Sequence, residues 1–198
     1  MIEALIGIGA IVLGLVSIEL ISRRFTINAG VMRKITHVAT ALLVIALSLL
    51  LGYKAFVIIG IVFAAIMAFL HVVYPLKSLS DRAHASLGEI WFPIGVAVSA
   101  ALLHSPAEFV VVIFILGFAD TAAYFAGSHS KSPRIIFNKT VAGSIAFLII
   151  ALLPLLFITA PQVALVVAIA LTVTEAVSPF GSDNATVPIA ASLALICF

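Results

Sequence analysis

Runs of apolar residues close to the ~20 that carry a helix across a bilayer follow one another along almost the whole chain. Little room is left for anything else. Hydropathy divides the 198 residues into spans at 2–21, 35–51, 55–74, 88–103, 107–126, 141–158, 162–178 and 185–198, seven of them clear and the last one short. Period-two alternation broken by turns, the mark of a membrane barrel, is absent. With 64% hydrophobic and 9% charged residues, the composition excludes a soluble domain. The expectation is a single all-α unit over 1–198, a polytopic transmembrane helical bundle of seven to eight spans.

Charge placement adds an orientation. The first span has no basic residue before it and Arg23 and Arg24 after it, so it reads as a retained anchor with its amino end outside. Alternating spans then collect 22–34, 75–87, 127–140 and 179–184 on one face. The first three of these loops hold nine of the ten Lys and Arg residues, and only Lys54 lies opposite. The positive-inside rule makes that face cytoplasmic, so an active site built from these loops would meet cytosolic reagents at a cell membrane or other endomembrane. A net charge of +2 gives no case for nucleic acid, because the basic residues adjoin spans and suit anionic lipid headgroups. Cys197 is the single cysteine, which excludes an internal disulfide and a thiolate metal site.

Against this background the ionisable residues inside spans stand out. An ionised Asp120 at the centre of a spanning helix costs about 2.5–3.5 kcal/mol on insertion scales, so a cation is expected to meet it. Gly117, Asp120, Tyr124 and Gly127 follow at helical spacing and predict one stripe. The next loop supplies Lys131, Arg134, Asn138, Lys139 and Thr140. Gly143 and Ser144 then open a helix whose free amides and positive dipole end suit an anionic oxygen. No G-x-x-x-x-G-K-[ST] occurs, so a phosphate site here is not a P-loop.

Earlier in the chain, Arg33, Lys34 and His37 share a helical side, either as a phosphate grip or as a positive-inside anchor with an interfacial histidine. Asp81, Arg82 and His84 fall in a short polar run that reads as a surface helix. Glu89 heads into a span broken by Pro93, where an acid marks a pocket or a membrane interface. Glu175 lies about one turn inside its span. After it, Pro179, Gly181 and Pro188 predict irregular backbone around Asp183 and Asn184. Carboxylates at Glu89, Asp120, Glu175 and Asp183 and cations at Arg33, Lys34, Lys131 and Lys139 thus approach one face. Acids holding a hard divalent ion, with Lys and Arg around it, are suited to a polyphosphate. A membrane lipid can reach the same place from the bilayer.

The words RKITH at 33–37, GEIWFPIGV at 88–96, FADTAAYFAG at 118–127, NKTVAGS at 138–144 and EAVSPFGSDNATVP at 175–188 resemble the CTP-dependent lipid alcohol kinases, the group of dolichol kinase, phytol kinase and the yeast-type diacylglycerol kinase. The resemblance implies transfer of the terminal phosphate of CTP to a lipid hydroxyl with Mg²⁺ or another divalent cation. It points to Arg33, Lys34, Asp120, Gly127, Lys139 and Asp183. CTP as donor follows from the resemblance alone. Two departures matter. The relatives usually continue after Gly127 with Gly-Lys or Gly-Arg, whereas this chain reads SHSKSP, leaving Lys131 as the nearest candidate for that cation. The D-x-x-A-Y-x-x-G and K-T-x-x-G-S pieces also occur in CDP-diacylglycerol synthases, but the Pro-Lys-Arg of their C-terminal signature is missing.

The expected site follows. Asp120 and Asp183 take the metal, with Glu175 as third ligand or orienting group. Arg33, Lys34 and Lys139 hold phosphate oxygens. His37, Tyr124, Gly127, Lys131, Asn138, Thr140, Gly143, Ser144 and Asn184 complete the nucleotide site, and Glu89 takes the proton of the alcohol. The alternatives are a cytidylyltransferase making a CDP-lipid and a small membrane transporter. The acceptor, whether a polyprenol such as dolichol, a shorter prenol such as phytol or geranylgeraniol, or diacylglycerol, is not legible from apolar walls, because added methylenes discriminate weakly. A homo-oligomer is left open.

Overall fold

The computed structural model describes residues 2–25, 27–74, 76, 78, 86–137 and 139–198. Among them the chain is helical and contains no strand, with a single isolated bridge between Arg134 and Thr140. The helices are α1 (Ile2–Arg24), α2 (Ala29–Leu51), α3 (Phe56–Val73, led in by a 3₁₀ turn at Tyr53–Ala55), α4 (Gly88–Leu102), α5 (Pro106–Phe114), α6 (Asp120–His129), α7 (Val141–Leu155), α8 (Pro161–Val177) and α9 (Asp183–Cys197). A π-helical segment, Ile115–Ala119, joins α5 to α6 without a break. Asp81, Arg82 and His84 lie outside the described residues.

Each apolar run of the sequence becomes helical, but the helices differ in length. Ile2–Arg24, Ala29–Leu51, Tyr53–Val73 and Pro106–His129 are long and apolar enough to cross a membrane. By contrast α4, α7, α8 and α9 have 15, 15, 17 and 15 residues. At 1.5 Å per residue they reach about 22–26 Å, short of a hydrocarbon core of about 30 Å. Large apolar side chains such as Leu13, Leu50, Val72 and Phe157 point outward, which is compatible with a lipid surround.

Local chemistry sets the helix ends. Asn28 Oδ1 accepts from the amides of Gly30 (2.9 Å) and Val31 (3.3 Å) to start α2. Ser105 and Glu108 form a capping box on α5. Lys54 Nζ donates to the carbonyls of Leu103 (2.8 Å) and Ala101 (3.1 Å), closing the C-terminal end of α4 with a cation where the helix dipole favours one.

Two glycines let α4 sit between α3 and α9. A Cβ added at Gly60 of α3 would stand 2.6 Å from the Pro93 carbonyl oxygen and 2.8 Å from Ala97 Cβ. One added at Gly95 of α4 would strike the Asn184 carbonyl and come within 2.6 Å of the Pro188 ring. Small residues at such crossings are what close packing of apolar helices requires. The α4–α9 seam is then tied by Ser192, whose Oγ donates to Pro188 O at 2.7 Å and lies in hydrogen-bond contact with Ser99 Oγ at 3.0 Å. These contacts fix the height of Asp183 and Asn184 against α4.

The irregular backbone expected around Asp183 and Asn184 is found at Pro179 and Gly181 but stops short of the two residues themselves. Both residues open α9, and the non-helical stretch is confined to 178–182, where Phe180 (φ 53°) and Gly181 (φ 80°) adopt left-handed conformations. Pro188 is accommodated inside α9, because the carbonyl its missing amide would have met packs against Gly95.

Candidate active site

The acids and cations of distant segments meet at one end of the bundle. Lys34, buried on α2, forms an ion pair with Asp120 Oδ2 at the start of α6, and its ammonium lies 5.5 Å from the Tyr124 ring centroid. The cation that the sequence demanded for Asp120 is therefore Lys34. His37, one turn along α2, donates Nε2–H to the Leu116 carbonyl at 2.9 Å and stands 3.6 Å from Asp120 Oδ2. A carbonyl can only accept, so Nε2 carries the proton.

That contact falls within the π segment. A π turn shifts the helical ladder by one residue and leaves a carbonyl without an amide partner. Here His37 meets the Leu116 carbonyl inside the wide turn, immediately before Asp120. The same shift removes Gly117 from the predicted stripe. It is buried against Ala41 of α2, while Asp120, Tyr124 and Gly127 face a common cleft.

On the far side of that cleft, Lys139 forms an ion pair with Glu175 Oε1 and donates to Asp183 Oδ2 at 2.8 Å. Asp120, Glu175 and Asp183 are all buried, and one carboxylate oxygen from each lies within 4.8 Å of the others. Two oxygens on a single calcium-sized cation are at most about 5 Å apart, so this spacing is compatible with one hard ion. Glu175 Oε2 and Asn184 Oδ1 are also buried without hydrogen-bond partners, which leaves oxygen acceptors to spare. The donor set fits a divalent cation. Lys139 lies in the loop between α6 and α7. Burial alone would pull its ammonium down, but Asp183, Asp120 and Glu175 outweigh that and hold it above the ordinary lysine value.

The polar cleft has about 1690 Å³ of open volume. Arg33, Lys34, Tyr124, Gly127, Lys139, Thr140, Gly143, Ser144 and Asn184 line it with the three acids. Arg33 Nη1 donates to Ser86 Oγ at 3.3 Å, and its Nε is buried without a partner. Lys131 is exposed and does not line the cleft, whereas Arg134 from the same loop does. Asn138 lies outside the described residues.

The expectation of free amides at the start of α7 is overturned. Val141 N donates to Pro133 O (3.1 Å), Ala142 N to Ser132 Oγ (2.9 Å), Gly143 N to Thr140 Oγ1 (3.1 Å) and Ser144 N to Thr140 O (2.9 Å). The loop, folded back by the Arg134–Thr140 bridge, caps this helix itself. The hydrogen-bonding groups left free at this helix start are side-chain ones, with Ser144 Oγ buried and unpartnered.

A second, apolar pocket runs between α1, α2, α3 and α4. It shares Arg33, Lys34, Asp120 and Asn184 with the polar cleft, so the two spaces meet at these residues. His37 and Glu89 line the apolar side, His37 edge-on to Phe92 with ring centroids 4.9 Å apart. Glu89 Oε1 is 2.8 Å from His71 Nδ1 on α3. Sequence reasoning gave Glu89 no partner and did not separate the two pockets, because helix spacing carries no residue signature. Comparison with family models, curated proteins and solved structures finds no match.

Proposed function

We propose that the protein is an integral-membrane phosphotransferase that moves the γ-phosphate of CTP to the hydroxyl of a membrane lipid alcohol, assisted by a divalent cation. The observation that carries this reading is the junction at Asp120: a polar cleft ringed by acids and cations and an apolar pocket share a wall there. A water-soluble polyphosphate and a lipid can approach one another there without either entering the wrong solvent. CTP as the nucleotide rests on the sequence resemblance.

In this reading Asp120, Glu175 and Asp183 hold the divalent cation, which supplies charge neutralisation to the phosphates. Lys34 pairs with Asp120 and fixes its orientation. Lys139 sits where it can follow phosphate oxygens, and Arg33, with an unpartnered Nε, takes a further one. Glu89, on the apolar side and oriented by His71, accepts the proton of the alcohol. The tails enter from the bilayer, the four shorter helices also insert, giving seven to eight spans, and the cleft faces the cytosol.

Purified protein given a panel of lipid alcohols and CTP labelled at the γ-phosphate tests the proposal. Label recovered in lipid is the expected result. Label recovered in pyrophosphate would establish the cytidylyltransferase reading, and nucleotide-independent solute uptake into liposomes would establish transport.

A further inference from the structure

The loop that delivers Lys139 to the cleft carries a tip that water does not suit. Ile135 N donates to Lys139 O and Lys139 N to Ile136 O, both at 2.8 Å, inside the Arg134–Thr140 bridge. These bonds close a tight hairpin turn whose first central residue, Phe137, takes a left-handed φ of 46°. Turns of that hand favour Gly, Asn or Asp at this position. This one instead presents Ile135, Ile136 and Phe137 at 53%, 42% and 53% exposure. Phe137 borders the polar cleft, whereas the two isoleucines do not. Lys131 and Arg134, both exposed, stand just before the tip, and the sequence has no acid between Asp120 and Glu175.

The helix that follows carries the same surface onward. Along α7, Gly143, Phe147, Ala151 and Leu155 are buried, whereas Val141, Ile145, Ile149 and Leu153 are exposed, each set at four-residue spacing. From Val141 to Leu153 that outer face is apolar over about 18 Å, which suits contact with lipid chains. Val141 N and Ala142 N donate to Pro133 O and Ser132 Oγ, so the base of the loop is fastened to the head of this stripe. The α1–α2 connection lies at the same end, since a Cβ at Gly30 would meet the Tyr124 hydroxyl of α6. It repeats the pattern, with Phe25 and Ile27 exposed beside Arg23 and Arg24. Apolar tips flanked by cations suit one partner, the boundary between acyl chains and anionic headgroups.

We infer that Ile135, Ile136 and Phe137 form an interfacial anchor, buried about 5–10 Å into the headgroup–acyl boundary, with Lys131 and Arg134 against the phosphates of anionic lipids. The partner is the anionic bilayer surface itself. Ile135 and Ile136 share backbone hydrogen bonds with Lys139, so the anchored tip also fixes where the Lys139 ammonium stands beside Glu175 and Asp183. The charge cluster is thereby tied to the composition of the leaflet. This inference rests on the membrane reading of the chain and not on the nucleotide or the acceptor.

The test uses the full chain carrying Trp91→Phe, which removes the single native tryptophan, in phosphatidylcholine vesicles with or without a third of phosphatidylglycerol. A tryptophan is then placed at the tip by Ile136→Trp, or midway down the outer face of α7 by Ile149→Trp. Quenching by lipids brominated near the headgroup or near the chain end is compared with quenching by acrylamide in the water. Ile136→Trp should be quenched by the shallow bromines and shielded from acrylamide, and Ile149→Trp should be quenched by the deep ones. Phosphatidylglycerol should raise the ratio of inserted to exposed tip about fivefold for each paired cation, and Lys131→Gln should remove one such factor. An Ile136→Trp signal quenched by acrylamide and untouched by bromine would overturn the anchor. So would shielding that needs a second copy of the chain, seen as a dependence on protein concentration, or shielding that appears only with CTP. Ile149→Trp left unquenched by deep bromines would instead remove the membrane reading beneath the inference. For the tie to the charge cluster, the melting-temperature losses of Ile136→Asn and Lys139→Met should combine to less than their sum in the double variant. Additive losses would make Lys139 independent of the tip and overturn that tie.

Discussion

Replacing Lys139 with methionine keeps most of the side chain and removes the ammonium that lies among Glu175, Asp183 and Asp120. Breaking a buried ion pair by deleting one partner costs about 3–5 kcal/mol, because the remaining charge is stranded. The Lys139 side chain remains 23% exposed, so water relieves part of that and the low end, about 3 kcal/mol, applies. For a chain of this size each kcal/mol moves the melting temperature by about 2–4 °C, giving a loss of about 6–12 °C. Adding Glu175→Gln removes one stranded acid and should recover more than half of the loss. Mg²⁺ should stabilise Lys139→Met protein more than wild type, since the cation no longer competes with an ammonium, by about 2.7 kcal/mol at a hundredfold excess over its Kd. Thermal unfolding in detergent with and without Mg²⁺ reads all three effects. A Lys139→Met protein that melts like wild type and ignores Mg²⁺ would refute the view that these acids form one charge-balanced cluster.

Asp120→Asn should abolish phosphate transfer while the protein remains folded and extractable, as a γ-label assay beside a gel-filtration profile will report; wild-type turnover would remove the metal assignment. Glu89→Gln should lower turnover about 10²–10⁴-fold with CTP binding intact, and His71→Ala should change the pH profile more than the affinity for nucleotide. Gly60→Ala should force α3 from α4, because its Cβ would stand 2.6 Å from a backbone oxygen, and cost about 1–3 kcal/mol in the unfolding assay. The pH dependence has a definite sign: Lys139 is raised above its unfolded value, so its contribution to stability is full below about 10.4, the ordinary lysine pKa, and is lost only as pH rises beyond it. A titration of stability between pH 7 and 9 that disappears in Lys139→Met would contradict this.

What could be read from the residues followed from solvation. Apolar runs had to become helices, and a carboxylate at Asp120 had to find a cation, because neither is stable otherwise. The features that escaped depend on where one segment stops another. Helix α7 is capped by Ser132, Pro133 and Thr140 only because the preceding loop folds back, so the amides that look free in sequence are occupied. Pro179 and Gly181 break the chain as their residue types suggest, but Pro188 does not, because Gly95 on a different helix makes room for the carbonyl that Pro188 leaves unpaired. The π turn before Asp120 has no residue pattern of its own and is completed by His37, dozens of residues away.

Lys34 illustrates why the site needs both of its pockets. A lysine that pairs with one acid would ordinarily satisfy it and end the matter. Here Asp120 faces Lys34 on one side and the Glu175–Asp183–Lys139 cluster on the other, within 4.8 Å of both acids, so it belongs to two charge systems at once. Lys34 and Asp120 are also two of the four residues common to the apolar pocket and the polar cleft. A group at that boundary has apolar side chains on one side and charged ones on the other. The wall between the two spaces is therefore the place where a perturbation of either substrate should be felt by the other. A bound lipid alcohol should tighten CTP, and CTP should tighten the alcohol by the same factor, since coupling between two binding sites is reciprocal. Isothermal titration of each in the presence of the other measures that factor, and absent coupling would separate the two pockets and with them the proposed chemistry.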